Sequence, residues 1–503
     1  MILCFHKKLS FIYIFALSIA FFGGAVLFCM NSAYNPFYYT ISADRDTYVF
    51  KTISMMIEGG YVPYKDSFDH KGPFLFVLNY LGDRISPYRG IWVIEVLFIA
   101  IAFIYMYKIT RLFCNVGYSL LAVGISTSVL FEYYRADMTE EFAIPLIAIG
   151  IYYFLLYFMN KHLSSFHIVI SGCCFSFVFL LRANMTAVWL VFCTFIFIEL
   201  IKKKEYKELF RCVSFFLLGV IIVFTPFLVW FAINNAIFDF FKDYILFNKQ
   251  YSTNMIEGSR NVWVGRVEGV VHFCKSSVVI IAYCSIFYFV KIKRDILDIV
   301  YIIFMVVSHL LMTMSGYISN HYGMILVPVV VYPISKLLSE VENDYFNSQH
   351  KYVAILITIA LATTFVAPNW LNTLEDAVSM PYVDASNEDH LANEVVSIIE
   401  SNTAEDEKIS VYGNWNKIYV LSHRIHATRY SYQYPIGQVD PTIMDEYFDE
   451  LQEEMPNIIV IESGFYDANI STFLNKNRYE QIFVDEGNEN AEKAARVFAR
   501  LEN

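Results

Sequence analysis

Up to about residue 369, apolar runs long enough to cross a bilayer alternate with short polar connectors. About 20 apolar residues span a hydrocarbon core of roughly 30 Å. On that length, eleven spans are predicted at about 10–30, 88–107, 116–132, 141–159, 165–181, 186–201, 213–233, 269–290, 296–314, 322–338 and 352–368. Lys7 and Lys8 precede the first run as they would in a signal peptide, but the run is too long for one and reads as an uncleaved span. Two connectors, 31–87 and 234–268, are long. The first holds ISMMIEGGYV and PFLFVLNYLG and the second FDFFKDYILFNKQY, short apolar or aromatic pieces expected to lie at the membrane interface as helices. From Trp370 the pattern changes. HLANEVVSIIESN and TIMDEYFDELQEE have helical spacing, KISVYG and PNIIVIES read as buried strands, and ENAEKAARVFARL reads as a last helix. Residues 370–503 are thus expected to form a soluble α/β domain after a membrane domain over 1–369.

Composition agrees with the membrane reading: 57% of residues are hydrophobic, 18% aromatic and 17% charged. The net charge of -11 hides a division, because the chain from Trp370 carries 25 acidic and 9 basic residues, leaving about +5 for the part before it. The positive charges are also placed. Lys108 and Arg111, Lys161, the group Lys202 to Arg211, the group Lys291 to Arg294, and Lys336 and Lys351 all fall in alternate connectors. By the positive-inside rule those connectors and the N-terminus are cytoplasmic. The connectors 31–87, 133–140, 182–185, 234–268 and 315–321 and the tail are then outside. The nine cysteines lie in or beside apolar runs without metal-ligand spacing, which fits buried thiols rather than a disulfide framework.

Ionisable residues concentrate in the outside connectors, where charge at membrane depth is costly and marks function. The first connector carries Asp44, Asp46, Asp66, Asp69, His70 and Lys71; YRADMTEEFA carries Arg135, Asp137, Glu140 and Glu141; LRANMT carries Arg182 and Asn184; SNHYG carries Asn320, His321 and Tyr322. Carboxylates in such a set could act as base or acid, and the cations could hold a phosphate. Plainer readings stand beside these: Asp66 and Asp69 as turn residues, Glu140 and Glu141 as helix first-turn charges, Arg182 as an interface anchor. The triplet Asp44-Arg45-Asp46 resembles a metal-binding DxD, which leaves a divalent metal open.

DTYVFKTISMMIEGGYVPYKDSFDHKGP resembles the first outer loop of bacterial GT-C superfamily membrane glycosyltransferases, related to the dolichyl-phosphate-mannose–protein mannosyltransferases. Asp46, Thr47 and Phe50 match its D-S-x-x-F element, with Thr for Ser. Glu58, Gly60, Pro63, Tyr64, Asp66, Phe68, Asp69, His70, Lys71, Gly72 and Pro73 match the EGxxPYxDxFDHKGP element. MTEEFAIP, LRANM, HYGMILVP and VYGNWNKIYVLSHRIHATRYSYQYP resemble later segments of the same group, whereas 213–314 adds little beyond hydrophobicity.

The resemblance implies a GT-C-like polytopic α-helical membrane protein of about eleven transmembrane helices with a C-terminal soluble domain, in a bacterial plasma membrane. It implies sugar transfer, with inversion, from a polyprenyl-phosphate-linked donor to a glycan, lipid or protein acceptor at the outer face, with no nucleic-acid partner. Asp46 is the candidate base, with Asp44, an extra acid, as the second. Lys71, His70, Arg182 and His321, in that order, are candidates for the lipid phosphate; Tyr322, Asn184, Glu140 and Glu141 are expected on the donor side. A flippase or carrier for a lipid-linked glycan, a glycan polymerase and a non-enzymatic scaffold are the competing readings. The first would show pseudo-repeats and charges through the depth of the spans, which are not seen.

Overall fold

The computed structural model describes residues 11–37, 45–253, 262–346, 350–379, 389–485 and 493–501. Helices α1 (Phe11–Cys29), α4 (Ile91–Thr110), α5 (Val116–Tyr133), α6 (Thr139–Asn160), α7 (Ser165–Phe179), α8 (Ala187–Lys202) and α9 (Tyr206–Ile233) occupy the first seven predicted spans. Between α1 and α4, the first long connector holds α2 (Arg45–Glu58) and α3 (Pro73–Ile85). The second long connector holds α10 (Ile237–Phe240), a π turn over Phe241–Phe247 and α11 (Asn248–Thr253). Beyond it come α12 (Val262–Phe273), α13 (Ser277–Lys293), α14 (Ile296–Met312), α15 (Leu326–Phe346), α16 (Lys351–Leu361) and α17 (Ala367–Ser379).

The result is a mostly helical, multi-pass integral membrane protein. Among the described residues six helices are long and apolar enough to cross a bilayer: α4, α5, α6, α9, Asn320–Phe346 and Lys351–Ser379. The others are shorter or bent. The 15 residues of α7 rise about 22 Å, less than a bilayer core. The expected single span at 269–290 is instead a pair, α12 and α13, bent by 88°. The polar Lys275-Ser276 step ends the first helix, and the second restarts after Ser276. The run expected at 352–368 continues to Ser379, because a π turn at Ala362–Val366 lets the helix pass Pro368.

Burial separates the core helices from the periphery. In the apolar window of α6 72% of the residues are buried, and in that of Asn320–Phe346 78%, against 11% for α9 and 6% for Lys351–Ser379. Half of the site described below stands on the ends of these two buried helices.

After the membrane helices lie α18 (His390–Asn402), β1 (Ser410–Tyr412), α19 (Lys417–Ser422), α20 (Ile436–Val439), α21 (Thr442–Glu454), β2 (Ile458–Ile461), α22 (Ala468–Lys476), β3 (Tyr479–Val484) and β4 (Arg496–Arg500). The sheet order is β1-β2-β4-β3; β1 runs parallel to β2, and β4 antiparallel to both β2 and β3. The last helix expected at ENAEKAARVFARL is therefore a strand over Arg496–Arg500. Val497 and Phe498 pair with Val460 and Ile459 of β2, and that sheet pairing overrides the helical preference of the Ala- and Glu-rich sequence.

This C-terminal unit is fastened to the turn between α2 and α3. Phe68 N donates to Arg429 O at 2.8 Å, and Arg429 Nε donates to Tyr64 O at 2.8 Å. The Arg429 guanidinium also pairs with Asp243 of the π turn, and His426 Nε2 lies 3.1 Å from Ser67 Oγ. Tyr64 needs this support, since its φ of 71° lies in the left-handed region. Asp66 is a turn residue, accepting from Val62 N at 2.7 Å.

Candidate active site

The site begins with one glycine. Gly72 N-caps α3 ahead of Pro73, and a Cβ built on it would lie 1.9 Å from Leu180 O. Only hydrogen fits. The close approach lets Gly72 N donate to Leu181 O at 3.0 Å and Phe74 N to Leu180 O at 3.1 Å. FDHKGP is thereby clamped against LLRAN, which puts Lys71 and Arg182 both within Coulombic reach of His70.

Asp46 stands in the first turn of α2, half exposed, with its Oδ2 3.9 Å from Lys71 Nζ. Lys71 Nζ donates to His70 Nε2 at 3.1 Å. That bond requires an unprotonated Nε2, so His70 is neutral. Burial, helped by the charges of Lys71 and Arg182, holds its pKa well below the ordinary value. The His70 ring stacks on Tyr251 with centroids 5.2 Å apart, and Asn248 Nδ2 donates to His70 O at 2.6 Å. Asp69 lies beneath, 2% exposed on its side chain, its Oδ1 accepting from Lys71 N at 2.7 Å. Burial pushes its carboxyl up to about 6, with Lys71 pulling the other way.

The second half of the site comes from α6 and from the turn leading into α15. Glu140, in the first turn of α6, accepts from Arg182 Nη1 at 2.6 Å and from Thr139 Oγ1 at 2.8 Å. The Arg182 guanidinium lies 4.1 Å over the Tyr322 ring. His321, beside Tyr322, is within Coulombic reach of Glu140, Asp46, Arg182 and Lys71, and its Nδ1 is 2.8 Å from Ser319 Oγ. Tyr432 of the C-terminal unit is within similar reach of Asp69 and Asp46. A guanidinium and an ammonium that both lie within Coulombic reach of His70 and His321 can together hold an anion. A half-exposed carboxylate at its edge can accept a proton.

The sequence candidates therefore divide. Asp46, His70, Lys71, Glu140, Arg182, His321 and Tyr322 converge; Asp44 lies outside the described residues. Asn184 ties its short 3-10 turn to the end of α14, donating from Nδ2 to Leu311 O at 3.1 Å. Glu141 faces the other way. Its Oε2 accepts from Asp137 N at 2.9 Å, which also reaches Glu95 Oε1 at 3.0 Å, so it belongs to a separate buried group of three carboxyls. Burial holds the Asp137 carboxyl well above the ordinary range, against the pull of Lys51. Of the two readings open for Asp69, turn residue or member of the ionisable cluster, its burial beneath Lys71 N favours the second. Tyr251 is a contributor that the sequence does not single out, part of an aromatic run whose target no spacing reveals. Among the described residues no group of three or more His, Cys, Asp or Glu could hold a metal ion.

No protein-family model matches the chain, and no curated protein matches it in sequence. Solved structures do match. ArnT from Cupriavidus metallidurans bound to undecaprenyl phosphate is similar with a TM-score of 0.58 and 10% identity, over 97% of this chain and 98% of that one. The apo state of the same protein gives 0.59 and 9% over the same shares. An apo oligosaccharyltransferase from Archaeoglobus fulgidus matches more loosely, with a TM-score of 0.41 and 11% identity over 88% of this chain and 69% of that one. Over nearly its whole length, then, the chain has an ArnT-like fold.

Proposed function

We propose that this chain transfers a sugar from a polyprenyl-phosphate-linked donor to an acceptor hydroxyl at the outer face of the membrane. The observation that carries the reading is the juxtaposition of the Asp46 carboxylate with the Lys71 ammonium at 3.9 Å, beside the Arg182–Glu140 pair. The ArnT of the same fold binds undecaprenyl phosphate, which supports a lipid phosphate as the anion. The alternation of basic connectors supports the outer face.

In this mechanism Asp46 accepts the proton of the acceptor hydroxyl as its oxygen attacks the anomeric carbon. The bond from that carbon to the phosphate oxygen breaks on the opposite side. The electron pair leaves with the polyprenyl phosphate, so the sugar inverts. Lys71 and Arg182 hold the growing phosphate charge, and fixed cations in a site with little water are worth more than the same charges in solvent. Glu140 and the Tyr322 ring keep Arg182 in place. His70, neutral, directs the Lys71 ammonium. Asp44 remains the second candidate for the base.

The test is turnover: membranes holding the wild-type chain, given a panel of polyprenyl-phosphate hexoses, release polyprenyl phosphate in an acceptor-dependent way. No turnover of any donor would contradict the reading. Asp69 adds a pH signature. Its carboxyl ionises near 6 in the fold and near 3.8 when unfolded, so the fold binds more protons between those values and stability falls as pH rises through that window. The donor, a phosphodiester, keeps one charge throughout. Ionising Asp69 beside Lys71 should weaken donor binding roughly five- to ten-fold between pH 5 and 7. Asp69→Asn should flatten that profile, as read by donor affinity against pH.

A further inference from the structure

A cavity of about 340 Å³ lies between the start of α2 and the C-terminal unit. Its size falls within the roughly 300–1,000 Å³ of small-molecule sites. Arg45 and Tyr48 line one side, and the segment Asn414-Trp415-Asn416-Lys417, with Asp389 and Glu462, lines the other. The charges in its wall are already matched: Arg45 pairs with Glu462 at 2.9 Å and Lys417 with Asp389 at 2.8 Å. An anionic ligand would have to break those pairs. A neutral one rich in hydroxyls would not, and carboxylates and amides on the wall can each accept from a hydroxyl.

Two further features select a sugar. Trp415 and Tyr48 contribute aromatic surface to the lining, which suits the apolar face of a pyranose ring. Asn414 and Asn416 both line the cavity, and their side-chain carbonyl oxygens are buried without a hydrogen-bond partner. Asn416 is 1% exposed as a residue. A buried amide oxygen without a partner has lost its hydration without compensation, and turning it into the cavity toward a ligand hydroxyl would restore a hydrogen bond. The position matters as well. Arg45 is the residue before Asp46 in the first turn of α2, their Cα atoms about 3.8 Å apart. A ring seated against Arg45 and Tyr48 lies at the turn of α2 that also carries Asp46.

We propose that this cavity binds a neutral saccharide, the terminal sugar of the acceptor, and presents its hydroxyl to Asp46. The acceptor role rests on the transferase reading above; the saccharide site does not. The full-length protein in nanodiscs is titrated with maltose, cellobiose and N,N′-diacetylchitobiose by saturation-transfer NMR, with undecaprenyl phosphate binding measured in the same discs. At least one disaccharide binds the wild type, and Trp415→Ala and Asn414→Ala each weaken it about ten-fold or more while undecaprenyl phosphate binds as before. Asn414 is only partly buried, so its variant keeps the test decisive if Trp415→Ala misfolds. Failure of every disaccharide to bind, or wild-type affinity in a folded variant, overturns the site. Tighter binding of glucose 6-phosphate than of any neutral sugar overturns its neutral specificity. Disaccharide binding without undecaprenyl phosphate binding overturns the acceptor role alone.

Discussion

Asp46→Asn is expected to slow the proposed sugar transfer by about 10²–10⁴-fold, the span attributed to a positioned general base. The substitution keeps size and shape and removes only the capacity to take a proton. Its structural cost is small: an acidic residue in a helix first turn is worth about 0.3–1 kcal/mol, and Asp46 is half exposed. Protein level and melting temperature therefore change little, and single-turnover kinetics on donor-loaded protein isolate the chemical step. The same variant holds donor at least as well as the wild type, because a negative charge 3.9 Å from Lys71 is gone. Full activity in Asp46→Asn together with loss in Asp44→Asn would move the base by two residues. Full activity in both would remove a carboxylate base from this helix.

Gly72→Ala should disable the site from outside the reacting groups. The added carbon would meet Leu180 O at 1.9 Å and Leu180 C at 2.4 Å, backbone atoms that no rotamer change can move. Either the bond from Gly72 N to Leu181 O is lost or LLRAN is displaced, and Lys71 and Arg182 separate. Overpacking of this kind costs about 1–3 kcal/mol. A displacement of about 1 Å at a positioning contact costs on the order of 10²-fold in rate. Gly23→Ala is the matched control, since a Cβ there meets nothing within 4 Å. Thermal melts and donor turnover on the pair show whether the loss belongs to the clamp. Wild-type behaviour in Gly72→Ala would mean that the two segments need not touch.

Much of this was legible in the sequence because the chemistry is local. Eleven apolar runs and the basic connectors outline the bundle, and FDHKGP carries its glycine, lysine and histidine in one hexapeptide. What could not be read depends on direction and distance. Glu140 and Glu141 are adjacent, but successive residues of an α-helix point about 100° apart, and only the packing decides that Glu140 meets Arg182 while Glu141 meets Asp137. Asp69 looks like its neighbour Asp66, a turn residue; it differs in being buried under Lys71 N. ARVFAR has helical composition and becomes a strand because β2 and β3 each leave an edge for it. The bend at 274–276 falls inside a stretch whose mean hydropathy suits one span.

The most direct measurement is the affinity of full-length protein in nanodiscs for undecaprenyl phosphate, compared among wild type, Lys71→Ala and Asp46→Asn. The site predicts that Lys71→Ala, which removes a charge-assisted bond worth about 1.5–3 kcal/mol, weakens binding roughly ten- to hundred-fold. It predicts that Asp46→Asn binds as tightly as the wild type or more tightly. Equal affinity in Lys71→Ala and wild type, or a loss in Asp46→Asn to match that in Lys71→Ala, would contradict a site that divides the lipid phosphate and the base between these two residues.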